Sequence, residues 1–320
     1  MKPDSDEIKL FLDNLAKKSW LASRSVWVKY IFHHTDIHNV IEILKSGKLL
    51  CRRLLEETGR MPVDNASRPI ISSTESAVKN YVRLYFRPRN PTQYRNEGVR
   101  PLNRQWEESH CPVPVFLLFD SKEILTLDDC QFSEGNLAST GIQGLHSTVT
   151  ELEMFDFRKI YHDSPHNDRA INFHKNAEVV VLNELDLSAL RYIVCRSPAE
   201  KETLLNLLPT NIFNRWSSKI VIDTKVNFFF RRWSFLQTVE LTAKYAAFNF
   251  SPDTIEPGPF HLIVKRRGSE EKSFENRDFY ANEQVVFEFP EDILVYEIEV
   301  ELDGNLIYSG RFDGSDEIPF

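Results

Sequence analysis

The sequence predicts an α+β protein in two domains, for three reasons. In the first two thirds of the chain, apolar strand-like runs alternate with helical patterns. In the last third, only strand-like runs recur, separated by Pro, Gly, Asn and Asp. Among these, Tyr296–Leu302 alternates strictly, and Asp303-Gly304 is a hairpin turn that leads into Leu306–Phe312. We therefore predict a mixed β-sheet core with helices over residues 1–220, followed by an antiparallel, sandwich-like β-domain over residues 225–320.

The N-terminal part is predicted to contain two helices around one strand. A helix is expected over residues 5–25, because four apolar residues fall at helical spacing: Ile8, Phe11, Leu12 and Leu15. Residues 26–32 are predicted to form a strand. Thr35 or Asp36 can then cap a second helix, which Gly47 ends as a C′ glycine. The apolar stripe of this helix comprises Ile37, Val40, Ile41 and Leu44.

Two long polar segments flank an alternating strand in the middle of the chain. The strand is predicted at Tyr81–Phe86, where tyrosine and arginine alternate with apolar residues. Residues 55–79 before it are rich in turn formers and are expected to be a loop, long enough to suggest a function. Residues 92–110 after it are rich in Arg, Asn and Glu and are expected to be a surface excursion.

Three more strands and a helix complete the predicted core. Val115–Phe119 is a continuous apolar run, which is typical of a central strand. Ala177–Leu182 is apolar except for Glu178, and a carboxylate in a buried strand is costly unless it has a partner or a task. Arg191–Cys195 is a further predicted strand, and Glu200–Leu208 is a short predicted helix.

The composition limits what the protein can be. A net charge of −8 and a pI near 5.7 argue against binding nucleic acid by bulk charge, so any contact with a polyanion must be local. No apolar run is long enough to span a membrane and no signal sequence is evident, so a cytoplasmic protein without a membrane partner is expected. The four cysteines form no Cys-x-x-Cys pair and are expected to be buried free thiols.

Polar residues at three predicted strand ends form the candidate site. His33-His34-Thr35 precedes the second helix, Tyr85 lies near the end of its strand, and Glu178 begins another. Tyr81 and Tyr85 share a strand face with Arg83, which suits a ligand that carries aromatic rings and phosphates. The alternative for Glu178 is a structural carboxylate paired with an arginine. His34 and His38 have helical spacing for a metal, but no third ligand is evident and no metal site is predicted.

Four motifs in this order resemble the DarT family of ADP-ribosyltransferases, which attach ADP-ribose from NAD to a nucleic-acid base. They are Phe32-His33-His34-Thr35-Asp36-Ile37-His38-Asn39, Tyr85-Phe86-Arg87-Pro88-Arg89-Asn90-Pro91, Phe132-Ser133-Glu134-Gly135-Asn136-Leu137-Ala138-Ser139 and Ala177-Glu178. Four ordered motifs are more specific than one. The resemblance covers roughly residues 26–200 and implies an ADP-ribosyltransferase fold with a split mixed β-sheet, and NAD as co-substrate.

The resemblance also implies roles for individual residues. Glu178 matches the catalytic glutamate, which would stabilise the positive charge that develops on the ribose as nicotinamide leaves. An arginine before the tyrosine strand would act on the diphosphate or on the acceptor base; Arg68 is the first candidate for it, and Arg60 is the reserve. The residues implied to bind NAD are His33, Thr35, Asn39, Tyr85 and Tyr94.

The acceptor implied by the resemblance is a base in single-stranded DNA or in RNA. Unpaired substrate is favoured, since extruding a base from a duplex costs a few kcal/mol. The resemblance also implies a toxin with an antitoxin partner, in a toxin–antitoxin or anti-phage system. Asn136 stands where some members carry histidine, which weakens any transfer of base preference. The residues expected to bind the acceptor are Arg83, Arg87, Arg89, Tyr161, His162, His166 and Arg169.

Two other classes of function remain open from the residues alone. The enzyme could modify protein or only hydrolyse NAD. A catalytically silent module could instead bind nucleic acid through the arginine run that begins at Arg83, because interleaved tyrosines and arginines suit a backbone-tracking groove.

Overall fold

The computed structural model describes residues 1–105, 109–163, 168–282 and 284–314. The strands are β1 (Tyr30–Asp36), β2 (Lys48–Leu50), β3 (Tyr81–Tyr85), β4 (Pro114–Asp120), β5 (Cys130–Ser133), β6 (Glu178–Leu182), β7 (Glu184–Asp186), β8 (Leu190–Cys195), β9 (Ile220–Ile222), β10 (Leu236–Leu241), β11 (Tyr245–Phe250), β12 (Phe260–Arg267), β13 (Glu271–Phe279), β14 (Gln284–Glu288), β15 (Val295–Leu302) and β16 (Asn305–Asp313).

The helices are mostly short. The α-helices are α1 (Ser5–Ala16), α2 (Ile37–Ser46), α3 (Arg52–Thr58), α4 (Arg68–Ser73), α5 (Pro91–Asn96), α6 (Ser121–Leu125), α7 (Leu137–Thr140), α8 (Val149–Glu153), α9 (Phe157–Ile160), α10 (Arg169–His174), α11 (Pro198–Leu207) and α12 (Thr210–Trp216). The 3-10 segments are Ser19–Lys29, Ser76–Asn80, Leu102–Arg104, Ile142–Gly144 and Ser217–Lys219. Within the described ranges, no helix combines the length and apolarity needed to cross a membrane.

A seven-stranded mixed sheet forms the centre of the described structure. Its order is β5-β6-β3-β1-β4-β8-β9, and neighbours are antiparallel except for the parallel pair β8 and β9. The central strand β4 is buried along nearly its whole length, as its continuous apolar run predicts. The four cysteines are buried free thiols, as expected. The predicted α+β class with a mixed sheet is confirmed.

The sheet opens between β1 and β3. Strand β1 pairs with β4 over its full length, but the only described register pair between β1 and β3 is Phe32 with Tyr85. Beyond that pair, the contact between β1 and β3 is made by a side chain: His33 Nδ1 lies 3.1 Å from the Arg83 carbonyl oxygen. This opening is the split that the resemblance implies, and it exposes polar side chains of both strands to one cleft.

The N-terminal helix is shorter than predicted. It ends at Ala16, and the chain continues in 3-10 turns that meet at Ala22 (φ 51°), because the apolar spacing of Ile8, Leu12 and Leu15 has no continuation beyond Leu15. Strand β1 begins four residues later than predicted, so the His33-His34-Thr35 motif lies within the strand. Asp36 caps α2 through the His38 backbone N–H, and Gly47 ends α2 in the left-handed conformation, as predicted.

The polar segments are more structured than predicted. The expected loop over residues 55–79 contains part of α3, helix α4 and a 3-10 turn. The prediction of a surface excursion over residues 92–110 is wrong for the first part of this segment, where Gln93, Glu97 and Arg100 are buried. Burial is tolerated because their polar atoms are paired: Gln93 Nε2 donates to Glu97 Oε2 at 2.7 Å, and Arg100 Nη2 donates to the Tyr94 carbonyl oxygen at 2.8 Å.

The C-terminal strands form two packed antiparallel sheets. One has the order β10-β11-β14 and the other β13-β12-β15-β16. Phe248 and Tyr308 join the two sheets, with ring centroids 5.9 Å apart, and the Tyr296 hydroxyl donates to the Thr242 carbonyl oxygen at 2.8 Å. The predicted sandwich-like arrangement is confirmed. Sheet membership changes between Ile222 and Leu236, which supports our proposal of a division between residues 220 and 225.

Helix α11 connects the central sheet with the C-terminal sheets. Ser197 Oγ donates to the Leu236 carbonyl oxygen at 2.6 Å, and the Tyr308 hydroxyl donates to Glu202 at 2.6 Å. The buried apolar side chains of both regions form one continuous core. The C-terminal sheets therefore help to hold the sheet that carries the site.

Candidate active site

The histidine, tyrosine and glutamate motifs converge at the opening of the central sheet. Tyr85 lies opposite Phe32 on one side and opposite Glu178 on the other. Glu178 also pairs in register with Ser133, which leads into the third motif. Strand order therefore brings together four segments that are far apart in the sequence.

Glu178 forms a two-point ion pair with Arg83. Arg83 Nε donates to Glu178 Oε2 at 2.8 Å, and Arg83 Nη2 donates to Oε1 and to Asn136 Oδ1, the latter at 3.1 Å. The Leu137 backbone N–H also donates to the Glu178 carboxylate. The Glu178 side chain is 1% exposed and that of Arg83 is 27% exposed, so the guanidinium stands between the carboxylate and the cleft.

Burial and ion pairing act in opposite directions on this pair. Burial raises the pKa of Glu178 above its ordinary value, and the Arg83 guanidinium only partly offsets this effect. Burial would lower the pKa of Arg83, but the Glu178 charge outweighs it and raises that pKa. The two-point geometry is that of a charged pair, so we take Glu178 as ionised at neutral pH, with an affinity for protons above that of an exposed glutamate.

His33 is held in one tautomer. Its Nδ1 lies 3.1 Å from the Arg83 carbonyl oxygen, which can only accept, so Nδ1 carries the proton and Nε2 is left as an acceptor. Burial lowers the pKa of His33, so the ring stays neutral at pH 7. The neighbouring His34 differs: burial lowers its pKa to about 3, its ring packs 5.2 Å from that of Phe116, and its Nε2 has no partner among the described residues.

Thr35 and Asn39 hold one wall of the cleft. Asn39 Nδ2 donates to Thr35 Oγ1 at 2.9 Å and to the Val63 carbonyl oxygen at 2.8 Å, and Asn39 Oδ1 accepts from the Val63 backbone N–H at 3.1 Å. The same loop is tied to α3, where Arg52 donates to both oxygens of Asp64 at 3.0 and 2.6 Å. Both Nδ2 donations of Asn39 and one acceptance at its Oδ1 are made within the protein, and those to Val63 hold the loop in position.

These elements enclose a cleft of about 520 Å³, within the size range of small-molecule sites. Six side chains from the motifs line it: His33, His34, Thr35, Asn39, Tyr85 and Asn90. Arg83 and Tyr81 line it from β3, and Arg52 and Arg60 line it from α3 and the loop that follows. Burial, with the nearby Glu178 charge second, raises the pKa of Tyr85 to about 12, so its phenol stays protonated.

Two residues predicted for the site, the catalytic candidate Arg68 and the NAD-binding candidate Tyr94, lie outside the cleft. Arg68 is exposed at the start of α4 and does not line the cleft, whereas the reserve candidate Arg60 does. Tyr94 packs edge-on against Phe230, with centroids 5.2 Å apart, and under the Arg232 guanidinium at 4.3 Å. Tyr94 therefore does not face the cleft, because it projects from the side of α5 away from Thr92 and Asn96, which do line it.

The structure corrects two of the residues expected to bind nucleic acid. Arg87 is 2% exposed and donates to the carbonyl oxygens of Ile160 and His162 at 2.8 and 2.7 Å. Tyr161 is 2% exposed and packs against Trp27 and Phe157. Both side chains are interior, because the expected acceptor loop over residues 141–169 folds into short helices with a buried face.

The other acceptor candidates keep accessible positions. His162 and Arg169 are exposed, and Arg89 is half-buried with its guanidinium 5.0 Å from the centre of the Phe230 ring. His166 lies outside the described residues.

Sequence reasoning left open that Glu178 pairs with an arginine, but it did not identify Arg83 as that arginine. Arg83 was predicted to bind substrate, not to pair with the carboxylate. A signal existed, because Arg83 shares the strand face of Tyr85, and the two strands that carry Arg83 and Glu178 had to be neighbours if the motifs met. The cleft contributions of Arg52 and Asn65 depend on loop folding that no local pattern reveals.

A mixed sheet opened at a histidine strand and a tyrosine strand, with a buried glutamate beside them, is the arrangement expected of an ADP-ribosyltransferase. A family model described as "DarT: ssDNA thymidine ADP-ribosyltransferase, DarT" matches residues 32–230, well over half of the 320 residues. The chain belongs to the DarT family. The predicted resemblance and the predicted enzyme class, an NAD-dependent ADP-ribosyltransferase of nucleic acid, are thereby confirmed.

Solved structures with a similar fold include DarT of Thermus sp. 2.9 in complex with NAD+, with a TM-score of 0.48, 17% identity, and coverage of 63% of this chain and 98% of that chain. The same Thermus protein in complex with ADP-ribosylated ssDNA has a TM-score of 0.49 and 17% identity, with coverage of 63% of this chain and 96% of that chain. DarTG of Thermosipho africanus in complex with ADP-ribose has a TM-score of 0.49 and 18% identity, with coverage of 67% of this chain and 53% of that chain. No curated protein sequence matches the chain.

Proposed function

We propose that this protein transfers ADP-ribose from NAD to a base in single-stranded DNA, with thymidine as the first acceptor to test. One observation carries the proposal: the buried Glu178 carboxylate is paired with Arg83, and Arg83 faces the cleft where β1 and β3 separate. The family description supports the acceptor.

NAD lies in the cleft with its nicotinamide riboside between β1 and β3. His33 is neutral, and its Nε2 accepts a hydrogen bond from a ribose hydroxyl. The ring of Tyr85 packs against nicotinamide. Arg60, on the loop that Asn39 positions, neutralises the diphosphate. Arg60 thus replaces Arg68 in the role that the sequence assigned to an arginine before the tyrosine strand.

The reaction breaks the bond between nicotinamide and the ribose, and nicotinamide leaves with the electron pair. The positive charge on the ribose is stabilised by the Glu178 carboxylate. A guanidinium between the two would oppose that charge, so Arg83 turns toward the acceptor when NAD binds and keeps one of its two contacts with Glu178. Its 27% exposure, compared with 1% for Glu178, leaves room for this turn.

The acceptor base enters the same opening and forms a bond to the ribose through a nitrogen atom. As the bond forms, the base gives up its proton. Glu178 accepts that proton, since its raised pKa makes it a better base than an exposed glutamate. An unpaired base reaches the cleft without the cost of leaving a stack.

A toxin role with an antitoxin partner is part of the proposal. Modified bases obstruct copying of the DNA, so expression of the protein arrests growth in a bacterial host. Growth is normal with Glu178→Gln at equal expression, and an antitoxin restores growth by removing the mark or by binding the enzyme. Growth arrest of the same extent with Glu178→Gln would separate toxicity from the transfer reaction.

The test of the reaction uses labelled NAD with four acceptors in turn: a thymidine-containing single-stranded DNA, the same DNA as a duplex, the corresponding RNA and a mixture of proteins. The expected result is label on single-stranded DNA, with little on the duplex. Label on RNA alone, on protein alone, or release of free ADP-ribose without transfer would contradict the proposed acceptor. Binding of DNA without consumption of NAD would favour a silent binding module.

A further inference from the structure

Beside the cleft, on the other side of α5, two adjacent aromatic rings lie between two arginines. The Arg89 guanidinium lies 5.0 Å from the centre of the Phe230 ring, Phe230 packs edge-on against Tyr94 at 5.2 Å, and the Arg232 guanidinium lies 4.3 Å from the centre of the Tyr94 ring. All four side chains are half-buried. We call these four residues the cation–ring ladder.

The ladder is built from two segments that buried polar contacts lock together. Glu97 accepts from the backbone N–H of Phe230 at 3.0 Å and of Arg231 at 2.8 Å, and Gln93 Nε2 donates to the Phe228 carbonyl oxygen at 2.9 Å. Arg89 has a φ of 56°, an unusual backbone conformation for a residue other than glycine. The surrounding contacts therefore fix the ladder side chains in place.

The position of the ladder links it to the proposed site. Thr92 and Asn96 of α5 line the cleft, and Tyr94 is about 200° around the helix from each of them. The ladder and the cleft are thus separated by roughly one helix diameter, about 10 Å. A strand whose target base occupies the cleft needs only a few further nucleotides to cross α5 and reach the ladder.

We propose that the cation–ring ladder binds the nucleotides that flank the modified base in single-stranded DNA, an inference that rests on the proposed function. Arginines pair with phosphates, and the Phe230 and Tyr94 rings hold the Arg89 and Arg232 guanidiniums in position for such contacts. A local concentration of arginines is the form of contact available to a chain of net charge −8. The family match ends at residue 230, so Arg232 lies beyond it and the ladder combines matched and unmatched segments.

The test compares DNA affinity of Tyr94→Leu, Arg232→Gln and the wild type by fluorescence anisotropy, with oligonucleotides of about 4 and about 16 nucleotides. Each variant should bind the longer DNA roughly tenfold more weakly, with a much smaller change for the shorter one. Tyr94→Phe should bind like the wild type, which separates loss of the ring from misfolding. Arg232→Gln should also lower the slope of log affinity against log salt by about 0.7.

The matched control is Arg215→Gln, since Arg215 also covers a ring, that of Trp216 at 4.9 Å, in a different part of the protein. This variant should bind both DNAs normally. Wild-type affinity of Tyr94→Leu and Arg232→Gln for the longer DNA would overturn the inference, and so would variants that lose only binding of a protein partner. Affinity is measured without NAD, so the ladder can fail while transfer is observed, and transfer can fail while the ladder binds DNA.

Discussion

Two buried glutamate–arginine pairs in this protein have similar geometry and opposite surroundings. Glu178 pairs with Arg83 across β3 and β6, and Glu200 pairs with Arg196 where β8 leads into α11. In both pairs burial raises the pKa of the glutamate, and the arginine contacts both carboxylate oxygens. The Arg196 side chain is fully buried, whereas the Arg83 side chain is 27% exposed and lines the cleft.

The neighbours of each arginine explain the difference. Arg196 lies 4.2 Å from the centre of the Phe235 ring, donates to the Pro112 carbonyl oxygen at 3.3 Å, and has Glu97 as a second acidic neighbour at 3.9 Å. It joins the central sheet to the C-terminal region. A buried carboxylate with a shifted pKa therefore does not define a catalytic group, and what decides is whether the pair faces a cavity that can hold the reactants.

The largest expected effect separates the two pairs by activity. Glu178→Gln should lower kcat for NAD consumption by at least about 10²-fold to 10³-fold, because the amide cannot stabilise the ribose cation. The dissociation constant for NAD, measured by calorimetry, should stay within a few-fold of the wild type. A variant that keeps wild-type kcat would place the carboxylate outside the reaction.

For the free energy of unfolding, the larger effect is expected at the Glu200–Arg196 pair. Glu200→Gln should lower the free energy of unfolding by about 3 kcal/mol, since it leaves the buried Arg196 charge without its main partner. The folded fraction should keep its kcat. Chemical denaturation of both variants checks this, and a larger loss of stability in Glu178→Gln than in Glu200→Gln would reverse the comparison.

The pH dependence should distinguish Glu178 from an ordinary carboxylate. Activity needs the ionised form, so it is lost as the pH falls through the pKa of Glu178, which burial places above the value of an exposed glutamate. Arg83→Lys keeps the charge but loses the two-point contact, so the acidic limb of the kcat profile should move to higher pH. An unchanged limb in Arg83→Lys would mean that another group is being titrated.

The smallest expected effect concerns the wall of the cleft. Asn39→Ala removes two hydrogen bonds that tie α2 to the loop at Val63 and a third that ties α2 to Thr35 of β1. We expect a KM for NAD about tenfold higher with kcat little changed, since in the proposed function the loop contacts NAD and does not take part in bond breaking. A control is Arg277→Gln, which breaks an exposed ion pair with Glu275 in the C-terminal sheets and should leave KM unchanged. A lower kcat with an unaltered KM for Asn39→Ala would contradict this role.

Much of the fold follows from local pattern. The alternation at Tyr81–Phe86, the apolar run at β4 and the Asp303-Gly304 turn each depend on neighbouring residues only, and each strand forms where expected. Local pattern also placed the cap and the terminal glycine of α2. It failed at residues 92–100, because Gln93 and Glu97 are buried through partners in residues 228–231, more than 130 positions away.

The candidate site was predictable to the same extent. The ordered motifs located His33, Tyr85 and Glu178, because strand pairing of the family brings them together. The interior positions of Arg87 and Tyr161 were not predictable, since they depend on how residues 149–160 fold over the sheet. The proposed exchange of Arg68 for Arg60 depends on the path of a loop that Asn39 and Arg52 hold by side-chain contacts.

The most direct test of the central claim is the mass of a single-stranded thymidine-containing oligonucleotide after incubation with saturating NAD and, in parallel, the wild type, Glu178→Gln and Glu200→Gln at equal folded concentration. We predict a gain of one ADP-ribosyl unit with the wild type and Glu200→Gln, and an unmodified oligonucleotide with Glu178→Gln. Equal modification by Glu178→Gln, or loss of modification with Glu200→Gln alone, would contradict the claim that the cleft-facing pair performs the transfer.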